Sequence, residues 1–187
     1  HREAGLQRIS MTSDMASLEA SGTFRWESIP KAVVSLAKRY LPSLVASPHA
    51  GEGTDDVDLD FTMRVRDTTV AARLTGTSLS IPEEAVIHGY IHSGVNLMEL
   101  DGQIPRMRLG NEQLHNGSLR VECTGRNMQA SVHAQRMMRG KPVDIDLAAY
   151  AENDRLVTRL GWDNQASPLQ RGAVNLSAQF WKAHGGK

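Results

Sequence analysis

The chain has a single cysteine, Cys123, among its 187 residues. No intrachain disulfide and no cysteine-built zinc site can form from it, and Cys123 itself reads as a small core hydrophobe. Aromatic residues make up only 5% of the sequence, few for a β protein that must close a tight core. Neither sign of charge is in excess: 21 Lys and Arg balance 21 Asp and Glu. That excludes the electrostatic footprint of a nucleic-acid binder or a polybasic membrane module. No apolar run approaches the ~18 residues of a membrane-crossing helix, and no signal peptide is visible. Catalytic signatures are missing too. There is no nucleophile elbow, no phosphate-binding loop and no dinucleotide fingerprint, and Gly51-Glu52-Gly53 alone carries no such meaning. These absences point away from an enzyme and from any cofactor or metal centre.

What is present is alternation. In Val143-Asp144-Ile145-Asp146-Leu147-Ala148-Ala149 the apolar residues fall on every second position, so Val143, Ile145 and Leu147 share one face of a strand. The same pattern runs through 56–66, where Val57, Leu59, Phe61 and Met63 point one way and Asp56, Asp58, Asp60, Thr62, Arg64 and Arg66 the other. From 85 to 181 the chain reads as an antiparallel meander. Strands are expected at 85–92, 95–100, 104–109, 119–123, 128–138, 143–151, 156–162 and 174–181. Turns are expected at Ser93-Gly94, Asp101-Gly102, Asn116-Gly117, Gly125-Arg126, Arg139-Gly140 and Asn153-Asp154. Ile87, Leu119 and Val121, Met128 and Val132, Leu156 and Leu160, and Val174 and Leu176 occupy the apolar phase of these strands.

Other elements are fewer. The first dozen residues read as frayed or as an edge strand, and 15–20 and 22–26 as two short strands. Ser28 suits a helix N-cap, with Pro30 in the first turn. Ile29, Val33, Leu36, Ala37 and Tyr40 then recur at helical spacing until Leu41-Pro42 stops the helix. A loop is expected over 47–55, a short second helix over 67–74 and an extended link over 80–82. His88 and His92 sit on a strand about 13 Å apart, too far to ligate one zinc. Asp56, Asp58 and Asp60 lack the turn glycine of a calcium loop and read as a solvated strand face with cross-strand partners. Met128, Met137 and Met138 read as lining or core rather than a soft-metal site.

The apolar face lacks a cover. Eight meander strands span about 38 by 26 Å, or about 1000 Å², whereas a 14-residue helix shields about 200 Å². Soluble monomers rarely leave several hundred Å² of contiguous apolar surface in water. The sheet must therefore close into a barrel, fold back as a sandwich, or curl into an open gutter around something apolar. The small and flexible residues Ala130, Ala134, Ala149, Met128 and Met138 favour a lumen over a tight core. The expected fold is mainly β: a curled antiparallel meander forming an open gutter with an apolar interior, plus one short amphipathic helix. A barrel or sandwich module binding a small ligand or client polypeptide is the alternative.

Three stretches also carry a resemblance. Gly22-Thr23-Phe24-Arg25-Trp26-Glu27-Ser28-Ile29-Pro30, with the helix ending in Lys38-Arg39-Tyr40-Leu41-Pro42, is one. Gly110-Asn111-Glu112-Gln113-Leu114 with Asn116-Gly117-Ser118-Leu119 is the second, and 155–164 (RLVTRLGWDN) the third. Together they resemble TamB-like proteins, the translocation and assembly module subunit, of the Bacteroidetes type. The resemblance covers 22–180 in general character and is specific only in those stretches. It implies an internal segment of a long periplasmic protein anchored in the inner membrane of a diderm bacterium, with the anchor outside this chain. It further implies a β-groove that carries phospholipid acyl chains toward the outer membrane, and an outer-membrane barrel protein of the assembly machinery as partner. The chain opens on His1 rather than Met, as expected of one β-rich segment, 1–187, of something longer.

Overall fold

The computed structural model describes residues 5–44, 56–69, 72, 76, 78–138, 140–164 and 168–181. The loop expected over 47–55 and half of the short helix expected over 67–74 lie outside the described residues. Eleven strands form one antiparallel sheet. In chain order they are β1 (Gln7–Thr12), β2 (Ala16–Thr23), β3 (Asp58–Val65), β4 (Leu79–Ser80), β5 (Ala85–His92), β6 (Leu97–Leu109), β7 (Glu112–Cys123), β8 (Met128–Met138), β9 (Lys141–Glu152), β10 (Arg155–Asp163) and β11 (Arg171–Gln179). The helix α1 (Ser28–Tyr40) connects β2 to the segment before β3. Each strand pairs with its sequence neighbour, except that β4 lies beside the far end of β6 and β3 pairs with β5. Strands β1 and β11 each pair on one side only, so the sheet is open. Neither the closed barrel nor the two-sheet sandwich is formed.

Two expected turns are instead strand. Asp101-Gly102 lies in the middle of β6, where Gly102 pairs with Ile87 on one side and Leu119 on the other. With both neighbours satisfying its backbone, the strand has no reason to break there, and Gly102 is buried. Asn116-Gly117 lies inside β7 at a register shift between His115 and Ser118. Asn116 takes the left-handed conformation, φ 50°, that such a bulge uses. A Cβ on Gly117 would lie 2.9 Å from the Ile104 carbonyl oxygen, so the strands meet here at a spacing that only glycine permits. The meander over 85–181 therefore has seven strands rather than eight. The strands expected at 15–20 and 22–26 are likewise replaced by a single strand, β2, which ends at Thr23 and leaves 24–26 outside it.

The helix begins where expected, but Ser28 is its first residue and Glu27 stands at the N-cap without a side-chain capping bond. Its buried side is Ser28, Ala32, Leu36 and Tyr40, while Val33 and Val34 are solvent-exposed. The stripe is rotated from the expected one because the far end of the helix is pinned. The Tyr40 hydroxyl donates to the Thr124 carbonyl, the Arg39 Nε–H to the Gly125 carbonyl at 3.3 Å, and the Asp154 N–H to the Tyr40 carbonyl at 2.8 Å. Beyond the helix, Ser43 donates its N–H and hydroxyl to the two oxygens of the Asp154 carboxylate, at 2.7 and 2.9 Å.

These contacts join the end of α1 to the β7–β8 and β9–β10 turns, while its start follows β2. A 13-residue helix is about 20 Å long. Six strand spacings separate β2 from β9, about 29 Å if flat. The sheet curls around the helix, and Ala20 of β2 and Ala151 of β9 join one cluster with Phe24, Leu36 and Tyr40. Asp154 carries much of this latch and sits at φ 60°, one half of a two-residue turn with Asn153 at φ 50°. Asp154→Ala is expected to cost about 2–3 kcal/mol, from left-handed strain plus the lost bonds to Ser43. Asp154→Gly, which relieves the strain, should cost about half as much. Urea unfolding of the two variants measures the difference.

Candidate functional site: the apolar face of the sheet

Cross-strand register places side chains directly opposite one another on a common face. Reading across the sheet, Leu18, Met63, Ile87, Gly102, Leu119, Val132, Leu147, Leu160 and Val174 form one lateral row. The next row toward α1 runs through Ala20, Phe61, Gly89, Leu100, Val121, Ala130, Ala149, Thr158 and Leu176. A third holds Gly22, Leu59, Ile91, Met98, Cys123, Met128, Ala151 and Leu156. Ile145, with Ala134 and Trp162 on either side, extends the face away from α1, followed by Val143 beside Arg136. All the residues expected to line a groove thus lie on one side of the sheet, and Val57 continues the alternation of β3 onto it.

They differ in cover. Val57 and Leu59 are 1% and 4% exposed and belong to the core under α1. The Val57 N–H donates to the Ser93 hydroxyl at 2.7 Å, and its carbonyl accepts from the Ser93 N–H. With α1 seated, neither residue can touch a ligand. Phe61, Val121, Met128 and Leu156 are partly buried against that core. Met63, Ile87, Leu119 and Ile145 are half-buried and Val143 is buried. Val132, Leu147 and Leu160 are exposed, and Val174 and Leu176 at the β11 edge reach 56% and 60%. Across about nine spacings of the open sheet the face amounts to about 1300 Å², of which α1 spans about 200 Å².

Other members of the face were not among the expected lining residues: Ile91, Met98, Leu100, Ile104 and Trp162. Alternation could have found the first four, and for Met98, Leu100 and Ile104 an expected turn at Asp101-Gly102 split their strand, β6. Trp162 lies across Gly172 of β11, where an added Cβ would stand 2.3 Å from its ring. Cys123 is buried on this face beside Tyr40. Burial pushes its thiol up to about 11 from an ordinary 9.0, against a smaller downward pull from the Tyr40 hydrogen bond. Because the folded value is the higher one, this thiol favours the fold fully below pH 9 and less as pH rises toward 11. Iodoacetamide at pH 8 is expected to modify Cys123 at least about tenfold more slowly in the folded chain than in urea.

The opposite face is polar and internally paired. His92 Nδ1 lies 2.8 Å from Asp58 Oδ1, and His88 Nδ1 lies 3.0 Å from the Thr62 hydroxyl. Asp58, Asp60 and His92 bring one donor atom each within 4.8 Å of one another, and the Asp58–His92 hydrogen bond accounts for part of that proximity. Arg64 and Arg66 both reach Glu84, and the Arg66 hydrogen bond holds the Glu84 carboxyl below its ordinary value. Ser118, His133 and Asp146 stand side by side on β7, β8 and β9. His133 Nδ1 is 2.8 Å from Asp146 and its Nε2 is 3.9 Å from Asp144. Both ring nitrogens face carboxylates, so the row does not make a charge relay to Ser118. A cleft of about 730 Å³ lies between Arg8, Glu19, Asp60, His88 and Tyr90, and another of about 810 Å³ between His133, Asp146, Arg159 and Arg171.

No helix among the described residues is long and apolar enough to cross a membrane. No protein-family model, curated protein or solved structure matches the chain.

Proposed function

We propose that this chain is a segment of a lipid conduit, a TamB-like groove whose apolar face shields acyl chains while they move between membranes. The observation that carries it is the apolar face itself: three lateral rows run across an open sheet and only one end lies under α1. The mechanism is solvation rather than catalysis. Removing a 16-carbon chain from water gains on the order of 10 kcal/mol, at ~0.8 kcal/mol per CH₂. Spread over many similar side chains, that gain has no single deep minimum, so a chain can slide. Leu147, Leu160, Val174 and Leu176 contact the lipid first because they are the most exposed of the expected lining residues. The phospholipid headgroup stays wet at the rim of the groove. The conduit would sit in the periplasm as part of a longer protein anchored in the inner membrane, with an outer-membrane barrel protein as its receiving partner.

Native mass spectrometry of the purified chain tests this directly. Phospholipid is expected to co-purify and to leave on collisional activation. A lipid-free spectrum from a folded chain that also fails to take up lipid from vesicles would refute the conduit.

The unpaired sides of β1 and β11 support a second reading, in which an extended client polypeptide adds to the sheet edge. Such a client would protect the β11 amides from hydrogen exchange, whereas an acyl chain would not.

A further inference from the structure

Far from α1 the apolar face is interrupted by a cation, Arg136. Arg136 continues the alternation of Met128, Ala130, Val132 and Ala134 along β8, and the register with β9 runs without a shift from Met128 to Met138. Arg136 therefore stands on the apolar face, between Leu114 of β7 and Val143 of β9. Its Nη2 donates to Glu112 Oε1 at 2.6 Å. Its Nε–H is buried and meets no acceptor. Nε and Nη2 form one edge of the guanidinium, the edge that grips a two-oxygen anion side-on. Glu112 uses half of that edge. The pair is otherwise exposed, 40% and 51% for the two side chains, so water and salt weaken its hold. Lys141 shares the face one rung further out, opposite Met138.

We infer that the end of the groove away from α1 is a phosphate site, in which Arg136 exchanges Glu112 for the phosphodiester of a phospholipid whose acyl chains lie along Val132, Leu147 and Leu160. The exchange pairs the orphan Nε–H, because two phosphate oxygens can meet Nε and Nη2 together. No bond is made or broken, and Glu112 returns to water as a carboxylate. The inference rests on the acyl-groove reading above, and the groove would thereby distinguish phospholipid from a neutral lipid with the same chains.

The test compares binding of fluorescent-chain phosphatidylglycerol with that of diacylglycerol bearing the same chains. The full chain is expected to prefer the phospholipid by about tenfold, the scale of one charge-assisted bidentate contact. Arg136→Gln should abolish the preference and leave diacylglycerol binding unchanged. Arg136→Lys, which keeps the charge without the fork, should restore only part of it, and Glu112→Gln should strengthen it. Inorganic phosphate at 10 mM, about the upper range for a single weak anion contact, is expected not to displace the lipid. Equal binding of the two lipids by the unmodified chain, or an unchanged preference in Arg136→Gln, would overturn the site while leaving the groove intact. Displacement by inorganic phosphate would overturn the lipid assignment. Binding of neither lipid would instead bring down the groove reading and this site with it.

Discussion

Leu147→Asp is expected to cut the phospholipid carried by the purified chain at least about tenfold while leaving the sheet folded. Leu147 is 41% exposed in the middle of the apolar face, flanked by Val132 of β8 and Leu160 of β10. A carboxylate there can stay hydrated in the lipid-free chain, so stability should fall by no more than about 1 kcal/mol. An acyl chain crossing the same point would have to strip water from that charge, at a cost of several kcal/mol. The control is one residue away. Ala148 points to the polar face, and Ala148→Asp should leave lipid content unchanged. The two variants add the same charge to the same strand and differ only in face. If both lose lipid, or neither does, the apolar face is not the working surface.

Gly22→Ala is expected to be the most damaging single methyl in the molecule. Gly22 sits in β2 at φ 143°, a backbone conformation reserved for glycine, and it is buried opposite Leu59. A Cβ would stand 2.0 Å from the Asp58 carbonyl oxygen and 2.8 Å from its carbon. These are backbone atoms of the neighbouring strand and cannot rotate away. Relief requires either β3 to move off or β2 to change conformation, and both disturb the row under α1. Backbone strain and overpacking together predict a loss of about 3–5 kcal/mol, a large part of the ~5–15 kcal/mol that holds a typical domain. Gly125→Ala is the reference, since nothing lies within 4 Å of the added atom. Its urea midpoint should match the unmodified chain. A Gly22→Ala midpoint equally close to it would mean that β2 and β3 do not meet as described.

Legibility from sequence followed the range of the physics. The residue pairs that share a face were readable because pleating alternates side chains whatever the strand's neighbours are. Hence Ile145 and Leu147, or Phe61 and Met63, could be placed together before their partners were known. The turns were readable only where two residues can decide the conformation alone. Asn153-Asp154 does so, with both residues left-handed. Asp101-Gly102 and Asn116-Gly117 have equally good turn composition, yet each is held in a strand by neighbours on both sides. The resulting error hid the continuity of β6 and, with it, Met98, Leu100 and Ile104 as members of the face. The helix was readable in extent, but its buried side was not, because that depends on the Asp154 and Thr124 contacts more than eighty residues away. The same seating of α1 puts Val57 and Leu59, expected as lining, into the capped core.

By itself, the sequence determined a mainly β chain with one greasy face, too little material to cover it, and one amphipathic helix. These follow from period and composition, which are local quantities. Only the tertiary structure decided that the sheet stays open at β1 and β11, that it curls around α1, that the helix seals one end alone, and that Arg136 lies on the apolar side. Each of these depends on which distant segments pair and how far the accumulated strand twist brings them round. No stretch of a single strand carries that information, because it belongs to the register between strands.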